Sequence, residues 1–337
     1  MSLLPSHRDA LLRLLWAPQE KLLPECFEPL MHSEGIAIAR QNTVLLRSAS
    51  RMRQLELPLS PEYHQAELLE SARVANLLEL VARVADICRQ IGVRFMFAKA
   101  FQHLPDMGHD VDLLLIDSSP AAISTIASAL KAQPGPDSFC QRLAHKKAFI
   151  VPGYHGPLEV QQGRLGHVGE HEILPELVWS RRCNAFEVGV PVSVPSREDA
   201  LMIQVVQRIF GHRHLRLSDM LRTASLLNEP IDWKYMQETS KRIGIITALS
   251  DYLSVVERAH HTVTGRSLMR AMLSIPVSRG QDIRLSSDGR LATKIVLRAY
   301  RDKFMTDLMH GDWNPVTRLC LLPIVALTVK LHWGSRQ

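Results

Sequence analysis

The chain is poor in aromatic residues, has no closely spaced pair of cysteines and contains no apolar run long enough to span a bilayer. Each absence removes a class of protein. Phe, Trp and Tyr make up 6% of the residues and are not interleaved with Lys or Arg, so no stacking platform for single-stranded nucleic acid is visible. The cysteines, Cys26, Cys88, Cys140, Cys183 and Cys320, are scattered and odd in number, without C-x-x-C spacing. That argues against a disulfide framework and against structural zinc, and it suits a reducing compartment. The most apolar stretch, Leu319–Val329, is 11 residues long and contains Pro323, whereas a spanning helix needs about 20 apolar residues. It reads as a closing core helix. The first residues meet Asp9 before any apolar core develops, so no signal peptide is expected. The expectation is a cytoplasmic protein without integral membrane insertion.

What is present fits a globular chain of about two domains: 337 residues, 46% apolar and 22% charged. The net charge of +6 is unevenly placed. Residues 201–337 hold 20 Lys/Arg against 11 Asp/Glu, an excess of nine positive charges, while the first 200 residues hold 20 against 23. A basic half facing an acidic half suits a phosphate-bearing ligand held between them, and a solvated Arg-rich helical surface is the plainer reading.

The order of elements is legible from periodicity and punctuation. Gln65–Ile91 has no Gly or Pro and repeats apolar residues at three and four positions, which predicts a long amphipathic helix stopped by Gly92. Val93–Ala98 reads as a short strand, and a loop with Pro105 and Gly108 leads to a second strand over Asp110–Ile116. Ser118, Ser119 and Pro120 open a helix that Pro134, Gly135 and Pro136 break. Ala148–Val151 and Pro157–Val160 read as strands around a Gly-rich turn, Val188–Val194 as a further β-like run. Ser196, with Glu198 and Asp199, opens a tail that reads as helix almost throughout.

The second strand carries Asp110 and Asp112. Residues i and i+2 of a strand share a face, so the two carboxylates project side by side, close enough to share a divalent cation. Hard oxygen ligands suit Mg²⁺, with Mn²⁺ as a substitute, bridging carboxylates and substrate phosphates. A solvated pair of acids at a loop edge is the bland alternative. Metal-assisted nucleotidyl transfer asks for a third acid on a neighbouring strand, and Glu159 meets that need in order and element type. Lys99, at the end of the preceding strand, is placed to reach phosphates as a point charge.

In these features the chain resembles an uncharacterised bacterial nucleotidyltransferase family of the polymerase-β-like superfamily. The pattern of that family runs from a long helix to a hydrophobic strand ending in Leu-Lys-Gly. An Asp-h-Asp strand, an Asp-Leu-His strand and a helical domain follow. The matching segments here are Asn76–Ala100, His109–Leu115, Leu158–Gln161 and Val194–Met202, with Phe210–Arg222 and Ile231–Trp233 in the helical part. Roughly residues 70–255 are covered. The resemblance implies an α+β fold, a small mixed-sheet nucleotidyltransferase core followed by an all-helical C-terminal domain. The corresponding divisions are a helical or irregular segment over 1–64, the core over 65–193 and the helical domain over 194–337. It also implies Mg²⁺ on Asp110, Asp112 and Glu159, an NTP substrate and an acceptor. Lys99 and the backbone at Ala100 would lie on the phosphates. Departures accompany it: Ala100 replaces Gly, the Lys99–Asp110 loop lacks an arginine, Glu159 replaces Asp, and Val160 and Gln161 replace Leu and His.

His212, Arg213, His214 and Arg216 could line nucleotide or acceptor phosphates, or form a solvated helix face. Asp219 could orient a base or an acceptor hydroxyl, although a cap or an ion pair is the usual role. His167 and His171, beside Glu170 and Glu172, suggest zinc only weakly, because Gly166 and Gly169 argue for a loop. The leading expectation is transfer of a nucleoside monophosphate from an NTP to a small metabolite, a peptide or protein, or RNA. The alternatives are a catalytically degenerate nucleotide- or partner-binding module and a toxin-like tRNA modifier.

Overall fold

Serine caps set five of the helix starts. Ser6 accepts the Asp9 amide ahead of α1 (His7–Trp16), which is followed by α2 (Ser33–Gln41) and α3 (Leu45–Gln54). Ser60 accepts the Tyr63 amide ahead of α4 (Pro61–Gln90), whose proline at the first turn costs no internal hydrogen bond. The computed structural model describes residues 6–22, 27–117, 119–268 and 288–321, and most of the Leu319–Val329 stretch lies outside them. Strands β1 (Phe95–Phe97) and β2 (Val111–Leu115) come next, then α5 (Pro120–Ala129), capped by Ser119. The two-residue β3 (Gln133–Pro134), α6 (Phe139–Leu143), β4 (Lys146–Ile150) and β5 (Leu158–Gln162) complete the sheet. After α7 (Leu174–Ser180), a small hairpin pairs β6 (Cys183–Ala185) with β7 (Val192–Val194). Helices α8 (Arg197–Val205), α9 (Leu217–Leu227), α10 (Trp233–Arg242), α11 (Ile246–Thr264) and α12 (Thr293–His310) form the tail. The architecture is therefore α+β, a mixed sheet followed by a helical region.

The sheet order is β1-β2-β5-β4-β3, with β2 and β5 parallel and the other pairs antiparallel. Alternation along β2 and β5 sorts their side chains. Val111, Leu113, Leu115, Leu158 and Val160 are buried on one face against α4 and α5, through Leu77, Val81, Val84, Ile123 and Ile126. Asp112, Leu114, Glu159 and Gln161 take the other face, where Leu114 joins Met96 and Ala98 in a second apolar cluster with the helical tail. That cluster also takes in Leu11, Leu14, Ile36, Ala39 and Leu45 from the first three helices. Residues before α4 thus pack with the C-terminal helices. Asn42 joins the two segments, its side-chain oxygen accepting the Leu217 amide at 3.2 Å.

Gly156 allows the strand carrying Glu159 to enter beside the strand carrying the aspartates. A Cβ there would lie 2.2 Å from the His109 carbonyl oxygen, so any side chain would push β5 away from β2. The Val111 amide instead donates to the Pro157 carbonyl at 3.0 Å.

Candidate active site

The register between β2 and β5 makes Asp112 the direct partner of Glu159. Asp110 lies two residues before Asp112, on the same side of the pleat. The result is a carboxylate cluster in which one ligand atom from each of Asp110, Asp112 and Glu159 lies within 4.8 Å of the others. Among the described residues it is the single grouping of three or more His, Cys, Asp or Glu with that property. All three side chains are half-buried.

Two lysines hold the cluster's outer flanks. Lys99, just past β1, places Nζ 2.7 Å from Asp112 Oδ1. Lys146, at the start of β4, pairs with Glu159. Its backbone partner is Gln161, two residues along from Glu159, so the contact is diagonal across the strand pair and within reach of a long side chain. Burial pushes the Glu159 carboxyl up to about 7, with Asp112 and Asp110 adding to the shift and Lys146 opposing it. Burial also works against ionisation of Asp110, but Lys99, a hydrogen bond from Glu159, Lys146 and Arg216 prevail and bring it below the usual carboxylate range. Burial disfavours the Lys146 ammonium as well, and Asp112, Glu159 and Asp110 hold it above the ordinary lysine range.

The loop bearing Lys99 and leading to Asp110 is clamped at three points. Asp106 caps α3, accepting the Leu46 amide at 2.8 Å and the Arg47 amide at 3.2 Å. Arg47 donates to the carbonyls of His103 and Leu104 at 3.1 and 2.9 Å, and Arg73 to those of Met107 and Gly108 at 2.6 and 2.7 Å. His103 Nε2 lies 3.3 Å from Asp219 Oδ1. Asp219 is fully buried, pairs with Arg208 at 2.7 Å and accepts the Arg216 amide at 2.9 Å. It is an internal ion pair and a cap for α9, away from the cluster of acids.

Beside the lysines opens a cavity of about 350 Å³ between sheet and helices. Lys99, Lys146 and Gln161 line it from the sheet, Gly166 and His167 from the following loop, and Gln207, Gly211 and His212 from the helical side. The last three sit on a π-helical segment, Val206–His212, that continues α8. Such widened turns recur at functional sites. The His212 imidazole is pushed below the ordinary histidine range, first by its desolvation and then by Arg208, Lys99, Arg216 and Lys146. It is a neutral wall residue in a cationic surrounding.

Asp110, Asp112, Glu159 and Lys99 come together, with Arg216 close enough to act on both aspartates. Ala100 does not reach the cavity; its methyl is buried in the apolar cluster beneath the sheet, with Met107 and Phe97. Arg213 follows the π-helical turn in a left-handed conformation and faces His167 and the Tyr300 hydroxyl. His214 bonds the Asp288 carbonyl at 2.8 Å. The bridge between Leu165 and His171 divides the histidine pair: His167 lines the cavity beside Lys99 and Lys146, while His171 lines a separate one of about 340 Å³ with Lys303 and Asp307. They form no shared metal group.

Lys146 is the residue the sequence did not point to. It precedes Lys147 and nothing in the local pattern separates the two; only pairing with Gln161 shows which lysine faces Glu159. Gln207, Asp106, Arg47 and Arg73 were equally silent, because their roles depend on contacts between distant segments.

Searches against protein-family models and against curated proteins find no match for this chain.

Proposed function

We propose that this chain is a divalent-cation-dependent nucleotidyltransferase, related to the polymerase-β-like superfamily, that moves a nucleoside monophosphate from an NTP to an acceptor. One observation carries the reading: three carboxylates at adjacent parallel strands, with ligand atoms within 4.8 Å, two of them paired with the lysines that line a cavity. The donor set is all oxygen, as Mg²⁺ or Mn²⁺ prefers, and the spacing fits a shared cation. Asp110, Asp112 and Glu159 would hold it. Bound there, the cation would neutralise charge on the triphosphate and orient it.

The remaining work falls to side chains of the chain itself. Lys99 and Lys146 bind the β- and γ-phosphates, and Arg216 adds positive potential from the helical side. Gln161, Gln207 and neutral His212 offer hydrogen bonds along the cavity wall. With a hydroxyl acceptor, the attacking oxygen bonds to the α-phosphorus and the bond to the α,β-bridging oxygen breaks. Pyrophosphate leaves with that electron pair, and the hydroxyl proton passes to a carboxylate of the cluster. The acceptor is a small metabolite, a peptide or protein, or RNA; the basic tail gives RNA weak support. Among the described residues no helix is long and apolar enough to cross a membrane.

A second reading has its own support. Lys99 and Lys146 already neutralise Asp112 and Glu159, which also suits a catalytically degenerate module that binds a nucleotide without turning it over. Pyrophosphate release from each NTP with Mg²⁺, in wild type and in Asp110→Asn and Asp112→Asn, separates the two. Release that depends on both aspartates supports transfer; NTP binding without release supports the module. Labelled NTPs in a cell extract would then identify the acceptor.

A further inference from the structure

The two lysines and a divalent cation would draw on the same carboxylates. Lys99 Nζ is 2.7 Å from Asp112, and Lys146 pairs with Glu159. The lysine side chains are 19% and 24% exposed, so each ammonium sits largely out of water and depends on its acid for compensation. Both also line the cavity, where a triphosphate would lie. Asp110 has no lysine of its own; Lys99, Lys146 and Arg216 act on it only at a distance.

We infer that Lys99 and Lys146 are exchangeable counter-ions, transferring from Asp112 and Glu159 to phosphate oxygens as a cation is taken up, so that cation and nucleotide bind as a unit. This rests on the nucleotidyltransferase reading and adds to it a coupling that the acids alone do not impose. The physical reason is a balance of partners. A cation arriving alone displaces two ammonium groups whose acidic partners among the described residues belong to the same cluster, and repels them at short range. A cation arriving with a triphosphate gives each displaced ammonium a new anionic partner, and the total charge stays nearly even. The stems of Lys99 and Lys146 have the rotatable bonds for this move, whereas a guanidinium in a fixed fork would hold its carboxylate in place. A site of this design resists free cations and accepts the cation–nucleotide complex.

The test measures Mn²⁺ binding, by the electron paramagnetic resonance signal of the free ion, with and without α,β-methylene triphosphate analogues of the four ribonucleosides. Wild type, Lys99→Met, Lys146→Met and Lys146→Gln are compared at fixed ionic strength, with circular dichroism confirming the fold. Wild-type Mn²⁺ affinity is expected to rise with the preferred analogue by a factor of about 5 to 150, the usual range of coupling between sites. Each lysine variant is expected to bind Mn²⁺ alone more tightly than wild type and to show a smaller rise with the analogue. Lysine variants that bind Mn²⁺ no more tightly than wild type and keep the full rise would overturn the exchange while leaving nucleotidyl transfer standing. No Mn²⁺ binding in any form, with or without analogue, and no effect of Asp112→Asn, would overturn both.

Discussion

Asp219 and the Asp110–Asp112–Glu159 cluster are both carboxylates withdrawn from water beside cations, and they are built in opposite ways. Asp219 is a single acid with fixed partners: the Arg208 guanidinium at 2.7 Å, the Arg216 amide at 2.9 Å and His103 at 3.3 Å. Although burial opposes its charge, Arg208, His103 and the Arg216 amide hold it well below the usual carboxylate range. The sheet cluster gathers three acids in one small volume with two lysines on long stems, and one of its carboxyls is pushed up to about 7. The first arrangement has one anion per firm cation and holds two segments together. The second has more anions than firm partners, and burial, with the like charges of Asp112 and Asp110, raises the Glu159 carboxyl. An acid with a guanidinium of its own serves structure, while a cluster with more acids than such partners serves a ligand.

Neutralising substitutions should separate the two regions most sharply. Asp112→Asn keeps the side-chain shape and removes a charge that a cation needs, so turnover should fall by about a thousandfold or more, on the scale of losing a principal electrostatic stabiliser. Its stability should change little, because the like-charge repulsion that goes offsets the pairing that Lys99 loses. Asp219→Ala should do the reverse. Removing one partner of a buried pair leaves Arg208 uncompensated, and a loss of about 3–5 kcal/mol is expected from urea unfolding. If Asp112→Asn proved the more destabilising of the two, the contrast between ligand site and structural pair would collapse.

The cationic residues offer a finer division. Lys99→Ala should weaken NTP binding by about tenfold, the scale of a charge-assisted hydrogen bond of about 1.5–3 kcal/mol once water has partly replaced it. Arg216→Ala should weaken it less, since Arg216 acts on the two aspartates from the helical side and its amide, which serves Asp219, is untouched. Arg213→Ala should leave NTP affinity close to wild type, because Arg213 faces His167 and Tyr300. Equal losses at all three positions, measured by titration at physiological salt, would point to a diffuse basic surface in place of a built phosphate grip.

The same contrast explains what the sequence could reveal. Strand periodicity and the i, i+2 rule brought Asp110 and Asp112 to one face, and the order of elements brought Glu159 beside them. The long glycine-free run and its stop at Gly92 became α4, and Ser196 caps α8 as its neighbouring acids suggested. These are local rules acting over a few residues. Lys146 needed the register of a distant strand, and the clamp of Asp106, Arg47 and Arg73 on the Lys99–Asp110 loop needed α3 and α4 in place. The excess charge of the tail hinted at Arg213 and Arg216 alike; in the structure Arg216 acts on both aspartates, while Arg213 faces His167 and Tyr300. The Ala100 methyl packs into the apolar layer, a placement that also depends on distant segments.

Proton linkage should give the smallest and most diagnostic difference. The folded-state pKa of Glu159 is raised above its ordinary value of 4.5 to about 7, so its contribution to stability is present below the unfolded value and is lost as pH rises through the folded one. Asp219 lies on the other side: its folded pKa is depressed, so its contribution is present above its ordinary value of 3.8 and is lost as pH falls below that. Between pH 4.5 and 7, therefore, Glu159 should lower stability while Asp219 stays fully ionised and contributes no slope. Lys146 and the remaining solvent contact of Glu159 reduce the effect to on the order of 1 kcal/mol. Urea titrations across that range should show Glu159→Gln flattening the decline, with little change of slope in Asp219→Asn. Mg²⁺ with a bound nucleotide analogue should also flatten it in wild type, since a cation favours the ionised cluster and releases its proton. A wild-type decline that persists unchanged in Glu159→Gln would place the titrating group elsewhere and leave the acid cluster electrostatically no different from the pair at Asp219.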